Sequence, residues 1–331
     1  MQRLAAELFR FSGRVIGALL SANALVFLAI EISIPGGFRA VLFPAGFNTD
    51  VPWQREVVDE YRLNDPVVVR FLHWVLDAFQ GDFGNSTRNG EPVWDLIWPR
   101  VPISFELMVV GVLLALLIGL PLGVVSARFD GRAPGGVANG VLGFCQSVPV
   151  FITSLMMIRV FAVDLGWFPA ATWVRLTDDI GAHLRHLVMP ALSLAMAELG
   201  TVGRVVRSDL LRVLNEEFVV AANAKGLSAR YVLYRHALRP ASLGLLNVVG
   251  LSVGALLSGT ILVEIIFGIG GLGQLVFESS IQRDLPVLLG LTSYLVLVYI
   301  TVNTVADVVM RILDPRLAPR GIVSGAVTAR K

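Results

Sequence analysis

The segment Glu216–Ala241, EEFVVAANAKGLSARYVLYRHALRPA, is densely charged and mostly basic, and it lies between apolar runs at 186–206 and 241–267. Each of these runs is a candidate membrane span, because a helix needs about 20 mostly apolar residues to cross the ~30 Å hydrocarbon core of a bilayer. The rest of the chain repeats this alternation of apolar runs and polar connections. The pattern predicts an all-α, polytopic membrane protein.

Composition also indicates a membrane protein. Hydrophobic residues make up 55% of the 331-residue chain and charged residues only 16%, whereas soluble globular chains carry about a quarter charged residues. The net charge of +2 suggests no nucleic-acid partner. The only cysteine, Cys145, excludes an intrachain disulfide and lies in an apolar run, where we expect it to pack as a small apolar residue.

We predict six transmembrane helices, at 14–35, 103–127, 137–163, 186–206, 241–267 and 287–313. The first run is too long for a signal peptide and lacks a small-residue cleavage site, so we expect it to be retained. The fourth run is the weakest, since Glu198 and Gly200 interrupt it. The predicted organisation is an N-terminal segment with the first helix (1–35), an external loop region (36–102), a five-helix transmembrane domain (103–313) and a tail (314–331).

The charge of the loops predicts the orientation of the spans, since basic residues concentrate on the cytoplasmic side. The segment 204–239 has seven basic residues against three acids, and the tail from Arg311 has five against one. The loop 36–102, by contrast, has six basic residues against nine acids. We therefore predict that both termini and the tail are cytoplasmic and that 36–102 is external.

The external loop contains one clear amphipathic pattern. Val67, Phe71, Trp74 and Ala78 recur at three- or four-residue spacing. Such spacing puts apolar side chains on one face of a helix. We expect this helix to lie against the helix bundle or the bilayer surface.

The opening segment itself predicts two short helices. Residues from Glu217 to Lys225 favour a helix, and Gly226 can adopt the left-handed conformation that ends one. Ser228 is a candidate N-cap for a second helix, which must end by Arg239 because Pro240 follows. On charge alone, this segment is no more than a solvated cytoplasmic loop.

The spacing within the segment is more specific than its charge. Ala221-Ala222, three residues and then Gly226 resemble the core of the "EAA" motif of ABC importer permeases, although Val220 replaces the motif's acid. The sequence EFVVAANAKGLSARYVLYRHAL resembles the peptide/nickel-type permeases in particular. Three further stretches resemble the same family, namely LNDPVVVRFLHWVLDAFQGDFGNSTRNGEPVWDLIWPRVPISFEL (63–107), GIGGLGQLVFESSIQRDLPVLLG (268–290) and ILDPRLAP (312–319). Pro35-Gly36-Gly37-Phe38 departs from the P-G-D-P that the family often has after its first span.

This resemblance implies a permease subunit of an oligopeptide- or dipeptide-type ABC importer in the bacterial inner membrane. In such importers the short cytoplasmic helix between spans four and five couples the spans to an ATPase subunit. The coupling residues it implies here are Glu217, Ala221, Ala222, Lys225, Gly226 and Arg235. The implied partners are a second homologous permease, two ATPase subunits or domains, an extracytoplasmic peptide-binding protein and the lipid bilayer. ATP and Mg²⁺ would be bound by the ATPase subunits, and no cofactor by this chain.

Other motifs in the chain are weaker evidence of its function. GIGGLG (268–273) matches a dinucleotide-binding pattern, but no strand precedes it, and an external glycine turn leading to the last span explains it better. No P-loop motif and no metal-ligand spacing occurs, and an interfacial position explains His183 and His186. Because acids within a span are costly unless they are paired or face water, Glu198 and Glu264 are candidates either for lining a pathway or for interhelical hydrogen bonds.

Three classes of function are compatible with a polytopic membrane chain. A permease subunit does no chemistry itself, so we predict no catalytic residue; a membrane enzyme would need a catalytic constellation within the spans, and none is evident. A self-sufficient secondary carrier would function without ATPase subunits and usually has more spans. The cargo stays open between oligopeptides, dipeptides, nickel chelates and glutathione.

Overall fold

The computed structural model describes residues 2–33, 37–43, 58–59, 61–238, 240, 256 and 259–313. Over these residues the regular secondary structure is helical, apart from one isolated antiparallel bridge between Asn85 and Pro92. The prediction of an all-α membrane protein is confirmed.

The chain begins with α1 (Gln2–Ser33), α2 (Gly37–Leu42), α3 (Val67–Phe79), α4 (Val93–Ile97), a 3-10 turn (Trp98–Arg100) and α5 (Val101–Arg128). It continues with α6 (Ala133–Ser147), α7 (Val150–Met157), a π-helix (Ile158–Asp164) and α8 (Ile180–Leu214). The last described elements are α9 (Glu217–Ala224), α10 (Ala229–Tyr231), a π-helix (Val232–Ala237), α11 (Gly259–Phe267), α12 (Leu272–Gln282) and α13 (Leu285–Leu313).

Four stretches within these residues are long and apolar enough to cross a membrane, namely Val15–Ile32, Val93–Arg128, Ile180–Leu214 and Leu285–Val305. Two bent pairs of shorter helices bring the number to six if each pair is one span. The predicted first, second, fourth and sixth spans therefore each contain a long helix. The fourth is continuous across Glu198 and Gly200, so these residues do not interrupt the helix.

The predicted third span, 137–163, is not one straight helix. Its two halves, Ala133–Ser147 and Val150–Asp164, are bent by 99°. The break is at Val148, which is extended with φ −88° and ψ 120°. Pro149 explains the break, because a proline disfavours helical geometry in the residue before it and donates no backbone hydrogen bond.

The region of the predicted fifth span is only partly described. Residues 241–255, 257 and 258 lie outside the described residues, and α11 is followed by α12 after a bend of 84°. The predicted glycine turn is present at 268–271, but it leads into the 11-residue helix α12, between Gly271 and Arg283, before the last span begins. Gly268, with φ +64°, makes the turn between α11 and α12.

The chain divides into two compact units. The first comprises Met1–Gly111, Pro149–Ala195 and Ala255–Ile300. In its core, Phe27 of α1 packs with Leu285 and Leu289 of α13, and Phe71 and Trp74 of α3 lie against this cluster. The predicted amphipathic helix in the external loop region is thus confirmed, and it rests on the helix bundle.

The second unit comprises Val112–Val148, Met196–Gly254 and Thr301–Lys331. Its helices α5 and α8 meet at glycines. A Cβ on Gly123 would lie 2.5 Å from the carbonyl oxygen of Gly203 and 2.9 Å from Cβ of Val206. Small residues allow this close approach, as is common where membrane helices pack.

Candidate functional site

The segment from Glu216 to Leu238 forms two short helical stretches joined at Gly226, as predicted. α9 ends at Ala224, and Gly226 has φ +75°. The backbone N–H of Tyr231 donates to Oγ of Ser228 over 3.4 Å, which is the geometry of an N-cap. A side chain on Gly226 would meet no heavy atom within 4 Å at its Cβ, so the glycine is required by backbone conformation rather than by space.

One face of this segment packs against the ends of the long helices of the second unit. Val219, Ala222 and Val232 form a buried cluster with Leu214 of α8 beside it. In a second cluster, Leu233 and Ala237 pack with Leu210 and Val213 of α8 and Ala127 of α5. The segment is therefore anchored to α8 and α5 by buried apolar contacts.

The opposite face is exposed and partly apolar. Among the predicted coupling residues, Glu217, Ala221, Lys225, Gly226 and Arg235 are exposed. Ala222 is only 7% exposed and lies in the buried cluster, so it does not share an outer surface with Ala221 and Gly226, although all three are among the predicted coupling residues. A helix of 3.6 residues per turn places adjacent positions about 100° apart, which explains why the two alanines differ.

Sequence reasoning missed the large apolar side chains on the exposed face. They are Phe218, Val220, Leu227, Tyr231 and Tyr234, each between 38% and 58% exposed. Phe218, Val220, Tyr231 and Tyr234 each adjoin a buried position of the two helical stretches, whereas Leu227 lies in the turn after Gly226. Exposed apolar patches rimmed by charge are typical of surfaces that bind another protein.

Glu264 lies at the centre of a buried polar cluster in the first unit. Its side chain is 0% exposed. One carboxylate oxygen accepts a hydrogen bond from Oγ of Ser104 over 2.6 Å, and the other accepts from the backbone N–H groups of Gly273 and Gln274 over 2.7 and 3.1 Å. Oγ of Ser104 in turn accepts from the N–H of Leu272 over 2.8 Å.

This cluster joins three helices. Ser104 is in α5, Glu264 in α11, and the N–H groups belong to the first turn of α12. These N–H groups have no partner within their own helix, and the helix dipole favours a negative charge beside them. The carboxylate thus holds α12 at its bend with α11 and makes an interhelical hydrogen bond, one of the two roles predicted for Glu264. Glu198 in α8 is also buried, at 8% exposed, and interacts with another residue. A pathway role for either acid stays a prediction.

His183 and Glu106 form a second polar pair in the first unit, in which His183 is buried and Glu106 is half-buried. The ring of His183 is 1% exposed, and its Nδ1 lies 2.7 Å from the carbonyl oxygen of Val174, which can only accept. Nδ1 therefore carries a proton, while Nε2 lies 2.8 Å from Oε1 of Glu106. No cluster of three or more His, Cys, Asp or Glu side chains suited to a metal occurs among the described residues.

The segment 86–88, in the loop region after α1, is bound to the turn before α13. Asp284, 4% exposed, accepts from Oγ of Ser86 over 2.5 Å and from the backbone N–H of Thr87 over 3.2 Å. The guanidinium of Arg88 donates to the carbonyl oxygen of Gln282. Hydrogen bonds of charged and hydroxyl side chains, for which the sequence predicted no role, thus fix this loop to the bundle.

The chain is similar to known inner-membrane transport proteins. Residues 119–319 match the family described as binding-protein-dependent transport system inner membrane component. The chain is 34% identical to the oligopeptide transport system permease protein AppB of Bacillus subtilis, over 95% of this chain and 99% of that one. It is 33% identical to the dipeptide transport system permease protein DppB of the same organism, over 90% of this chain and 93% of that one. These matches establish that the chain belongs to this family of inner-membrane transport components.

Solved structures confirm the fold. An inward-facing structure of the MetNI methionine ABC transporter matches 66% of this chain and 96% of its own, with a TM-score of 0.56 and 19% identity. An amino acid ABC transporter with histidines matches with a TM-score of 0.51 and 14% identity. The chain therefore has the fold of an ABC importer transmembrane subunit, and it is a multi-pass inner-membrane protein.

Proposed function

We propose that this chain is a permease subunit of an ATP-driven importer of oligopeptides or dipeptides. The observation that carries the proposal is the near end-to-end similarity to an oligopeptide permease protein, over 95% of this chain and 99% of its relative. The similarity to a dipeptide permease protein supports the same substrate class. This chain forms part of the pathway and has no ATP site of its own.

Energy reaches this subunit through the segment Glu216–Leu238. Its buried face is continuous with α8 and α5, while its outer face presents Phe218, Val220 and charged side chains to a partner. A movement of a docked ATPase subunit is therefore transmitted to these helices as a rigid displacement, the general mode of transporter gating. The partner subunits bind ATP and Mg²⁺.

The assembled importer contains this chain, a second homologous permease, two ATPase subunits or domains and an extracytoplasmic binding protein that selects the peptide. Both termini lie in the cytoplasm, as the excess of basic residues in 204–239 favours. Cysteine labelling tests this orientation in a Cys145→Ser background. Asn89→Cys should react with an impermeant reagent from outside and Arg132→Cys only from inside, since both positions are exposed; the reverse pattern would refute it.

Reconstitution tests the function. Liposomes containing both permeases and the ATPases, supplied with the binding protein and a labelled oligopeptide or dipeptide, should accumulate peptide only when ATP is present on the ATPase side. Omitting this chain is the matched control and should abolish uptake. Peptide uptake by this chain alone, without ATPase subunits, would show a secondary carrier instead. Transport of a nickel chelate or glutathione in place of peptide would overturn the substrate class.

A further inference from the structure

A strip of polar side chains lies on the surface of the second unit, where α6 and α8 are in contact. Nε2 of Gln146 lies 3.5 Å from Oγ1 of Thr201, and Nη2 of Arg204 lies 3.1 Å from the position that a Cβ on Gly143 would take. Gln146 and Arg204 are exposed, and Thr201 is half-buried. Because Gly143 has no side chain, the guanidinium of Arg204 lies against α6, one turn from the Gln146 amide.

This strip falls within predicted spans, yet its side chains are unlike those that face lipid. Gln146 belongs to the predicted third span and Arg204 to the fourth. An apolar exposed face of α6 lies elsewhere, since Val137, Val141 and Phe144 recur at four- and three-residue spacing and are 68%, 41% and 62% exposed. Gln146 is about 200° around the helix axis from Phe144. Charged and polar groups within spans face water or another molecule rather than lipid, so we expect the same of this strip.

Arg204 differs from the next two arginines of α8 because it has no acidic partner. Arg207 forms an ion pair with Asp130, and Arg212 forms one with Asp209 over 3.3 Å. In the part of the chain that the structure describes, no acid forms an ion pair with Arg204. A guanidinium within a span is costly without a counter-ion, and its planar donors match a carboxylate through two parallel hydrogen bonds. An anion at this position would therefore be bound favourably.

The strip also lies where α6 ends inside its span. α6 stops at Ser147, because Val148 is extended and Pro149 follows. Ser147 is exposed, and its Oγ donates to the carbonyl oxygen of Gly143 over 2.8 Å. Substrate sites of transporters are typically formed at such interrupted helices. A helix break and a cation without a counter-ion thus occur together on one surface.

We propose that this strip binds the C-terminal carboxylate of the peptide during transport and that Arg204 is the residue that recognises it. This inference rests on the proposed function and names the part of the substrate that this subunit contacts. An unmodified linear peptide ends in a carboxylate that is ionised at neutral pH, so one guanidinium can serve peptides of many sequences. Gln146 and Thr201 supply further donors, because their mutual contact of 3.5 Å is weak and is readily exchanged for one to a ligand.

Photolabelling of the importer in nanodiscs tests the site. The complex of both permeases and the ATPases is used without the binding protein, so that peptide recognition by the binding protein does not contribute. The probe is a short peptide with a diazirine side chain and a free C-terminal carboxylate. We expect crosslinks in fragments that contain Gln146 or Arg204. Alanylalanine should compete, and its C-terminal amide should compete about tenfold less well, the effect of losing a charge-assisted hydrogen bond.

Substitutions assign the recognition of the carboxylate to Arg204. Arg204→Gln should remove the difference between acid and amide, whereas Arg204→Lys, which keeps the positive charge, should retain part of it. Arg212→Gln is the matched control, because Arg212 is an arginine of the same helix that is 69% exposed and already paired with Asp209. It should leave both labelling and the acid–amide difference unchanged. A purely structural role of Arg204 would change competition by acid and amide equally and would contradict the proposal.

Other occupants of the strip predict different results. Loss of labelling when phosphatidylglycerol replaces phosphatidylcholine in the nanodisc would show that Arg204 binds a lipid phosphate, and it would overturn the proposal. Equal competition by acid and amide in the wild-type complex would overturn it as well. Both results can be obtained with a complex that still accumulates peptide when its binding protein and ATP are supplied, so that only this inference fails. Absence of ATP-driven peptide uptake would instead refute the proposed function.

Discussion

The Glu264 cluster and the segment Glu216–Leu238 both place charged residues in a largely apolar chain, yet they have opposite environments. The carboxylate of Glu264 is fully buried and accepts three hydrogen bonds from its own chain. The segment leaves Glu217, Lys225 and Arg235 exposed beside large apolar side chains. The comparison separates a buried acid, whose hydrogen-bond partners lie in its own chain, from an exposed surface of mixed apolar and charged side chains, which is the kind of surface that typically binds another protein.

Replacing Glu264 should have the largest effect on stability. Glu264→Leu leaves the N–H groups of Gly273 and Gln274 without an acceptor in a buried site, at a cost of about 3 kcal/mol. We expect a lower melting temperature of the purified complex and less assembled importer. Glu264→Gln is the matched control and should cost about 1 kcal/mol, because an amide oxygen still accepts from the helix. Full stability of Glu264→Leu, with transport alone lost, would favour a pathway role.

Two adjacent alanines give the sharpest contrast within the segment. Ala222→Asp introduces a charge among Val219, Val232 and Leu214 and should destabilise the segment by about 3 kcal/mol. Ala221→Asp alters the exposed face, so it should leave stability within about 0.5 kcal/mol and reduce peptide-stimulated ATP hydrolysis. Limited proteolysis measures the first effect, and ATPase assays on the assembled complex measure the second. Equal behaviour of the two variants would remove the distinction between the faces.

The His183–Glu106 pair should give an intermediate effect. His183→Gln removes a buried ring that contacts both Glu106 and the carbonyl of Val174, at a cost of about 2 kcal/mol. His186→Gln is the matched control, because His186 has a single ring contact, with the carbonyl of Ala182. Thermal denaturation of the complex compares them, and a larger loss for His186→Gln would contradict this assignment.

Arg230→Ala should have the smallest effect. Arg230 is exposed at the start of the second helical stretch and lies outside both buried clusters. We expect a change in stability within about 0.5 kcal/mol and peptide uptake near that of the wild type. Uptake assays in proteoliposomes check this. Loss of uptake in Arg230→Ala would show that Arg230 also takes part in coupling to the ATPase, in addition to the predicted coupling residues.

Sequence patterns predicted the features that depend on local chemistry. The apolar runs predicted the long helices, the spacing from Val67 to Ala78 predicted α3, and Gly226 with Ser228 predicted the break within the segment Glu216–Leu238. These features follow from periodicity, turn conformation and capping, which a sequence contains directly.

Other features depend on contacts between distant residues and could not be predicted. Nothing in the sequence places Ser104 and the first turn of α12 around Glu264, or Glu106 beside His183. Pro149 is a sequence signal for the bend at Val148. The residues on both sides of it are apolar, however, so the stretch resembles one continuous span. Ala222 was predicted to be a coupling residue from the family motif, which does not specify which side of the helix packs inward.

The most direct test of the account is the effect of Gly226→Arg on coupling. Gly226 has φ +75° and open space where a Cβ would lie. An arginine at this position costs about 1 kcal/mol of backbone strain and adds a bulky charge to the exposed face of the segment. Gly226→Asn is the matched control, since asparagine tolerates this conformation and adds no charge. We predict that Gly226→Arg co-purifies with the second permease but loses peptide-stimulated ATP hydrolysis and uptake, while Gly226→Asn retains both. Normal coupled turnover in Gly226→Arg and Ala221→Asp would show that the segment is only a solvated loop.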